Sequence, residues 1–269
     1  MLFRSLRALV KARTGRPELS VREVHFASPF GSRSGIARHF RNGRVFLAGD
    51  AAHVHPPAGG QGMNTSVQDA YNLGWKLGQA IRHGAPDALL DSYEAERLAV
   101  AANLLEFVGE MHKDWLGKAK DKVEPRQGEH MQLSLNYRGG PLSVDERNVS
   151  GSVVRAGDRA PDAPLYDVSS APFRLFDAFR GPHFTLLALD AELPSLDPRY
   201  AAAVRGWRIV RPGPQGDDEA ALIDSGGHAH RVYGEGLVLV RPDGYVGYAG
   251  PGGSGVGLDV YLARFFGRA

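Results

Sequence analysis

Residues 43–64 read GRVFLAGDAAHVHPPAGGQGMN. The apolar run 44–48 predicts a short buried strand, with Asn42-Gly43 as the turn that feeds it. Gly49-Asp50 closes the strand, and Pro56-Pro57 and Gly59, Gly60 and Gly62 lead to Asn64 or Thr65, where a helix is predicted to start. Thr65 and Gln68 have the spacing of a capping box at that start.

These parts suit one kind of ligand. Asp50 is placed at the carboxyl end of a strand, where open α/β sheets bind small molecules. A carboxylate there repels phosphate and accepts hydrogen bonds from sugar-like hydroxyls. Gly59, Gly60 and Gly62 lack side chains, so backbone N–H groups can approach a flat or charged group. The helix that follows aims the positive end of its dipole at that group. The implied ligand is polyhydroxylated at one end and carries at the other a planar ring that becomes anionic. A reduced flavin with its ribityl chain meets that description.

Working outward, Val67, Ala70, Tyr71, Leu73, Gly74, Leu77 and Ile81 recur at helical spacing. Gly74 and Gly78 share a face that admits a neighbouring backbone, and Gly84-Ala85-Pro86 stops the helix. A longer helix is predicted over 87–113, then an exposed charged connection over 117–130 and a strand-and-turn segment over 133–143. Pro and Gly mark a boundary at 154–165. Beyond it, strands are predicted at 184–189, 207–210, 237–240 and 245–248, with helices over 197–204 and 257–266. Pro242-Asp243-Gly244 joins the last two strands as a hairpin. The pattern is a small α/β domain.

The run GRVFLAGDAAHVHPPAGGQGMNTSVQDAYNLGWKL closely resembles the second FAD motif of the aromatic-ring hydroxylases, the single-component flavoprotein monooxygenases. The resemblance extends through LLDSYEAERLAVA at 89–101, LNYRGGPL, RAGDRAPDAPL and LVLVRPDGYVGYAG, and so covers nearly the whole chain. Ala99 departs from it, because many relatives carry proline there. The resemblance implies an α/β fold in two parts. Residues 1–153 form the C-terminal portion of an FAD-binding domain, and 154–269 form a thioredoxin-like domain of the phenol and polyketide hydroxylase branch. It implies that Asp50 binds the ribityl hydroxyls, that Gln61, Gly62, Met63 and Asn64 hold the pyrimidine edge of the ring, and that Pro57 lines the pocket where oxygen and substrate meet. Gly59 and Gly60 complete the cofactor-binding set. No residue is assigned as a catalytic acid or base, or as a metal ligand.

The implied chemistry is hydroxylation of a phenolic or polyketide-type ring by molecular oxygen, with FAD as cofactor and NAD(P)H as its transient reductant. Members of the family also carry a G-x-G-x-x-G loop for the ADP half of FAD, which this sequence lacks. The expectation is therefore a part of a longer or split enzyme, partnered by a polypeptide bearing that half or by a second copy. The alternative is a non-catalytic binding or assembly module. Absorption by bound flavin separates the two.

Other features carry less. Lys plus Arg number 32 against 30 for Asp plus Glu, a net charge of +2, so no nucleic-acid partner is expected. Arg4, Arg7, Lys11, Arg13 and Arg16 read as the solvated face of an opening helix. The absence of cysteine excludes disulfides, thiolate metal sites and disulfide exchange by the thioredoxin-like domain. No apolar run approaches the ~20 residues that span a bilayer, and the N-terminal stretch does not fit a signal peptide, so a cytoplasmic location is expected. GPGGSG at 250–255 matches G-x-G-x-x-G literally, but no second strand with an acidic residue follows it, and it reads as a structural turn. His53 and His55 lack a third ligand for a metal, and His53 is expected to pack or bond within the loop. Asp69 and Lys76 are expected at partly exposed helix positions. Tyr93 to Arg97 are expected to be salt-bridged structural residues.

Overall fold

The computed structural model describes residues 2–26, 33–56, 60–117, 132, 134–149, 151–213, 221–253 and 255–266. Residues 1–33 and 34–269 form two compact units. The first contains helix α1 (Leu2–Thr14), with Lys11 and Arg13 in the last turn, where cations complement the helix dipole. Both are exposed, as a solvated face requires.

The second unit opens with short extended pieces: β1 (Gly35–Ile36), β2 (Arg41–Asn42), β3 (Val45–Phe46) and β4 (His53–Val54). The predicted strand 44–48 is thus shorter than its apolar run. Residues 45–46 pair with 41–42 as a hairpin, and the chain then winds into a single 3-10 turn, Gly49–Ala51. Asp50 sits on that turn rather than on a strand end. Gly49 needs its positive φ of 59° to enter the turn.

Helices α2 (Gly62–His83) and α3 (Asp87–Gly117) follow. The start of α2 corrects the expectation at Asn64 or Thr65, because Gln61 is the cap residue. No capping box forms. Thr65 lies inside the helix and its hydroxyl donates back to the Gln61 carbonyl at 3.0 Å, while Gln68 Nε2 donates to Gln132 Oε1 at 2.7 Å. Gly84 ends the helix in the left-handed conformation, as its position predicts.

The sides of α2 are inverted relative to a core helix. Met63, Val67, Tyr71 and Ile81 are 77%, 62%, 59% and 81% exposed, whereas Thr65, Asp69, Asn72, Lys76 and Gln79 are buried. Both sets recur at helical spacing, on opposite faces. Gly74 and Gly78 lie on the exposed face, where an added Cβ meets nothing within 4 Å.

Among the described residues, eight strands make one sheet. They are β5 (Val144–Asp145), β6 (Pro164–Tyr166), β7 (Pro172–Arg174), β8 (Phe184–Leu189), β9 (Val204–Val210), β10 (Leu222–Ile223), β11 (Gly236–Val240) and β12 (Val246–Gly250). Their order is β5-β12-β11-β8-β9-β10-β6-β7. The segment predicted as strand and turn at 133–143 contributes a turn only, and the strand begins at Val144; Leu133 lies outside the described residues. Short helices α4 (Leu175–Ala178), α5 (Pro198–Ala201) and α6 (His228–Tyr233) lie between strands, and α7 (Val256–Leu262) follows the last one.

β8 and β9 are parallel neighbours, and β11 pairs antiparallel with both β8 and β12. The order β9-β8-β11-β12 with a closing helix is the thioredoxin-like arrangement expected. Strands β8, β11 and β12 are buried along their whole length, which is why they read as apolar runs and not as alternating patterns. Leu186, Leu237 and Leu239 face one cluster with Tyr261 and Phe265, while Leu187, Val238 and Val240 face the other with Leu175 and Tyr233. Trp75 of α2 enters the first cluster and packs edge-on against Phe184 at 5.7 Å between centroids, so α2 is fastened to the sheet. Gly250 ends β12, and the described residues 251–253 and 255 of the glycine run connect it to α7, consistent with its structural reading.

Candidate functional site

The predicted site residues fall in two short pieces. Asp50 is exposed on the 3-10 turn, and Gly60, Gln61, Gly62, Met63 and Asn64 run contiguously into α2. Pro57 and Gly59 lie outside the described residues. The two pieces are brought together by packing. A Cβ on Gly49 would meet Ser66 Oγ at 3.0 Å, which puts the turn directly on the first turns of α2. Gly62 lies against the His55 ring, where a Cβ would sit at 3.4 Å.

The start of α2 is open. Gln61 makes no side-chain cap, and the first amide bonded back along the chain is that of Thr65, to Gln61 O at 3.0 Å. The amides of Gly62, Met63 and Asn64 therefore have no intrahelical acceptor and point along the positive end of a 22-residue helix. Such an end suits an anionic or strongly polarised planar edge.

Beneath this surface lies a buried ionic network that sequence periodicity misplaced. Asp69 and Lys76, expected at partly exposed positions, are both fully buried. Asp69 Oδ2 accepts from the Gly49 amide at 3.0 Å and meets His53 Nε2 at 2.7 Å, while Oδ1 accepts from Arg97 Nε at 2.6 Å. Arg97 also donates to the Tyr137 hydroxyl at 2.8 Å and to the Thr65 carbonyl at 3.3 Å. One carboxylate thus links the turn carrying Asp50, the strand carrying His53 and, through Arg97, the first turn of α2. Burial alone would raise the Asp69 carboxyl, but the His53 bond and the Arg97 charge hold it below the usual range.

The second half of the network contains two acids and two bases. Glu96 accepts from Lys76 at 2.8 Å and from both Arg241 nitrogens at 2.6 and 3.0 Å. Arg241 also donates to Asp243 at 2.9 and 2.6 Å, and Asn72 bridges the two carboxylates. Against its burial, Arg241 and Lys76 draw the Glu96 pKa down to about 2. Burial lowers that of Lys76 to about 8 despite the Glu96 charge. Tyr93 to Arg97 are structural as expected, with the Tyr93 hydroxyl donating to Leu47 O at 2.7 Å and Glu94 accepting from the Phe40 and Arg41 amides.

The overlooked signal was the spacing 65, 69, 72, 76, 79, a polar stripe with helical period opposite the apolar one. Among the described residues, no group of three or more His, Cys, Asp or Glu could hold a metal ion, and no helix is long and apolar enough to cross a membrane.

Comparison with known proteins matches both parts of the chain. A family model described as FAD binding domain matches residues 3–108, and one described as aromatic-ring hydroxylase, C-terminal, matches 154–269. A flavin-dependent monooxygenase of Mycobacteroides abscessus is 44% identical over 97% of this chain and 48% of its own length. Pentachlorophenol 4-monooxygenase of Sphingobium chlorophenolicum is 39% identical over 78% of this chain and 43% of its own. Among solved structures, aklavinone-11 hydroxylase in ternary complex with FAD and aklavinone aligns with a TM-score of 0.75 at 27% identity, covering 98% of this chain and 51% of that one. The chain spans about half the length of the curated relatives it matches.

Proposed function

The chain belongs to the FAD-dependent aromatic-ring hydroxylases, and from that premise we propose that it supplies the flavin-ring side of a monooxygenase acting on a phenolic or polyketide-type ring. The observation that carries this reading is the open start of α2 held against the Asp50 turn. In this proposal Asp50 binds the ribityl hydroxyls, the backbone of Gln61 to Asn64 receives the pyrimidine edge, and the α2 dipole favours negative charge on that edge. The family resemblance adds Pro57 and Gly59 to the proposed set, and both lie outside the described residues. The residues present fit the cofactor, because the Gln61 side chain does not cap the Gly62, Met63 and Asn64 amides and the exposed Asp50 lies on the turn packed against the same end of α2.

FAD, reduced by NAD(P)H, supplies the redox chemistry with oxygen, and the chain's own groups bind and orient it. The protein contributes a rigid mount: Asp69 and Arg97 fix the turn and the helix start relative to each other. We place the division between the flavin-binding part and the thioredoxin-like domain at 153/154, supported by the limits of the two matched family models.

We further propose that more polypeptide completes the site. The exposed face of α2, from Met63 to Ile81, supports this, together with the half-length match to relatives. The test joins the 269 residues to the part of the Mycobacteroides abscessus relative lying outside the match, and titrates FAD by absorbance and fluorescence. Saturable flavin binding with NAD(P)H-dependent oxygen uptake on a phenolic substrate is expected. A colourless protein that stays so with excess FAD overturns the proposal and favours a binding module.

A further inference from the structure

A cavity of about 440 Å³ lies between α2 and the turn from β11 to β12, lined by none of the described residues of the Asp50–Asn64 loop. Its walls come from distant stretches of chain: Tyr71 of α2, Tyr137, Arg159, Phe176, Phe179 and Tyr245. The volume falls within the range of small-molecule sites and admits one or two fused rings. Tyr137 and Tyr245 pack at 4.5 Å between centroids, and the Tyr71 hydroxyl is fixed by donation to Pro242 O at 3.0 Å. Two walls are therefore held in place before any ligand arrives.

Charge decides what such a cavity would take. The acidic lining residue Asp243 and the acids beside the other lining stretches are already paired with bases. Asp243 and Glu96 share Arg241, with Lys76 as second base; Asp158 is held by Arg138 at 2.6 Å, Asp162 by Arg174 at 2.8 Å, and Asp177 by Arg180 at 3.1 Å. Arg159 is different. Its guanidinium lies 5.6 Å from the Tyr245 ring centroid and donates to the Tyr245 hydroxyl at 3.2 Å, and among the described residues it makes no ion pair. A half-buried arginine whose guanidinium lies against one aromatic ring, with no ion pair among the described residues, matches the planar fork of a carboxylate. A phosphate dianion calls for more donors than one guanidinium and a phenol, and a neutral ring leaves the charge uncompensated.

We propose that this cavity binds a one- or two-ring aromatic carboxylate, with the carboxylate on Arg159 and the ring among the tyrosine and phenylalanine walls. The proposal goes beyond the flavin reading and does not depend on it. Its test is calorimetric titration of the 269-residue chain, without flavin, with 1-hydroxy-2-naphthoate and with neutral 1-naphthol. Saturable one-to-one binding of the carboxylate is expected, at least tenfold tighter than naphthol. Arg159→Gln should lose about tenfold for the carboxylate and leave naphthol unchanged, while Arg159→Lys retains part of the difference.

Because Arg159 bridges to Tyr245 in the backbone, Phe176→Asp serves as a second variant. Phe176 is 54% exposed, so folding is not at stake, and the added charge should repel the carboxylate by about tenfold. Equal affinity for the two compounds, or no change in both variants, overturns the proposal. So does non-saturable uptake. None of these outcomes touches flavin binding, which is measured separately.

Discussion

Asp69 lies twenty residues beyond Gly49, yet its Oδ2 accepts the Gly49 amide proton at 3.0 Å while its Oδ1 holds Arg97. The residue beside the exposed Asp50 is therefore fixed by a carboxylate with no exposure of its own. Asp69→Ala leaves Arg97 buried without its carboxylate and His53 without its acid partner. Removing one member of such a pair costs about 3–5 kcal/mol. Urea denaturation should show that loss; a cost under about 1 kcal/mol would contradict the burial and pairing described.

Asp50 should behave in the opposite way. It is exposed on its turn and contributes little to packing. Asp50→Ala is expected to leave the melting midpoint almost unchanged, within about 0.5 kcal/mol, and to weaken flavin binding by about tenfold in the fused protein, or ~1.4 kcal/mol. Equal flavin affinity in variant and parent would remove Asp50 from the ribityl contact.

Acid should unfold the protein through Glu96. Its folded pKa of about 2 lies below the ordinary 4.5, so the folded state holds fewer protons than the unfolded one between those values. The resulting stabilisation is fully present above pH 4.5 and is lost as pH falls through 2, roughly 3 kcal/mol in all. Thermal melting between pH 6 and pH 2.5 should show a falling midpoint, and Glu96→Gln should flatten that fall while lowering the plateau. An unchanged slope in the variant would assign the acid sensitivity to other carboxylates.

The elements that were legible in the sequence are those whose signal is local. Phe184 to Leu189 reads as a strand because five of its six residues are apolar, and all six, Thr185 included, are buried. Gly84 ends α2 because it alone enters the left-handed region there. The glycines and the acid of the Asp50–Asn64 stretch carry the proposal of a ligand cradle, and of that stretch the structure describes 50–56 and 60–64. Asp69 and Lys76 were not legible, because burying a charge depends on partners that spacing does not reveal. Glu96 and Arg97 come from the next helix, and Arg241 comes from the turn just after β11, 145 residues beyond Glu96. The capping box failed for a related reason: Gly62 and Met63 already fit the helix, so Thr65 was drawn inside it, and its hydroxyl turned back to Gln61.

The inverted faces of α2 lead to a prediction about its apolar side chains. In a core helix, replacing Ile81 or Val67 with a charged residue would leave a buried charge unpaired, at a cost of several kcal/mol. Here Ile81 is 81% exposed and Val67 62%, and Gly74 and Gly78 between them face open space. Ile81→Lys and Val67→Glu are therefore expected to change stability by no more than about 0.5 kcal/mol in the 269-residue chain. Solubility should rise, because a contiguous apolar stripe is removed from water. In the fused protein the same two substitutions should cost much more, and should weaken FAD binding indirectly, if the added polypeptide covers this face. Melting the two proteins side by side reads the difference: equal, small effects in both would mean that α2 remains exposed and that the completing polypeptide docks elsewhere.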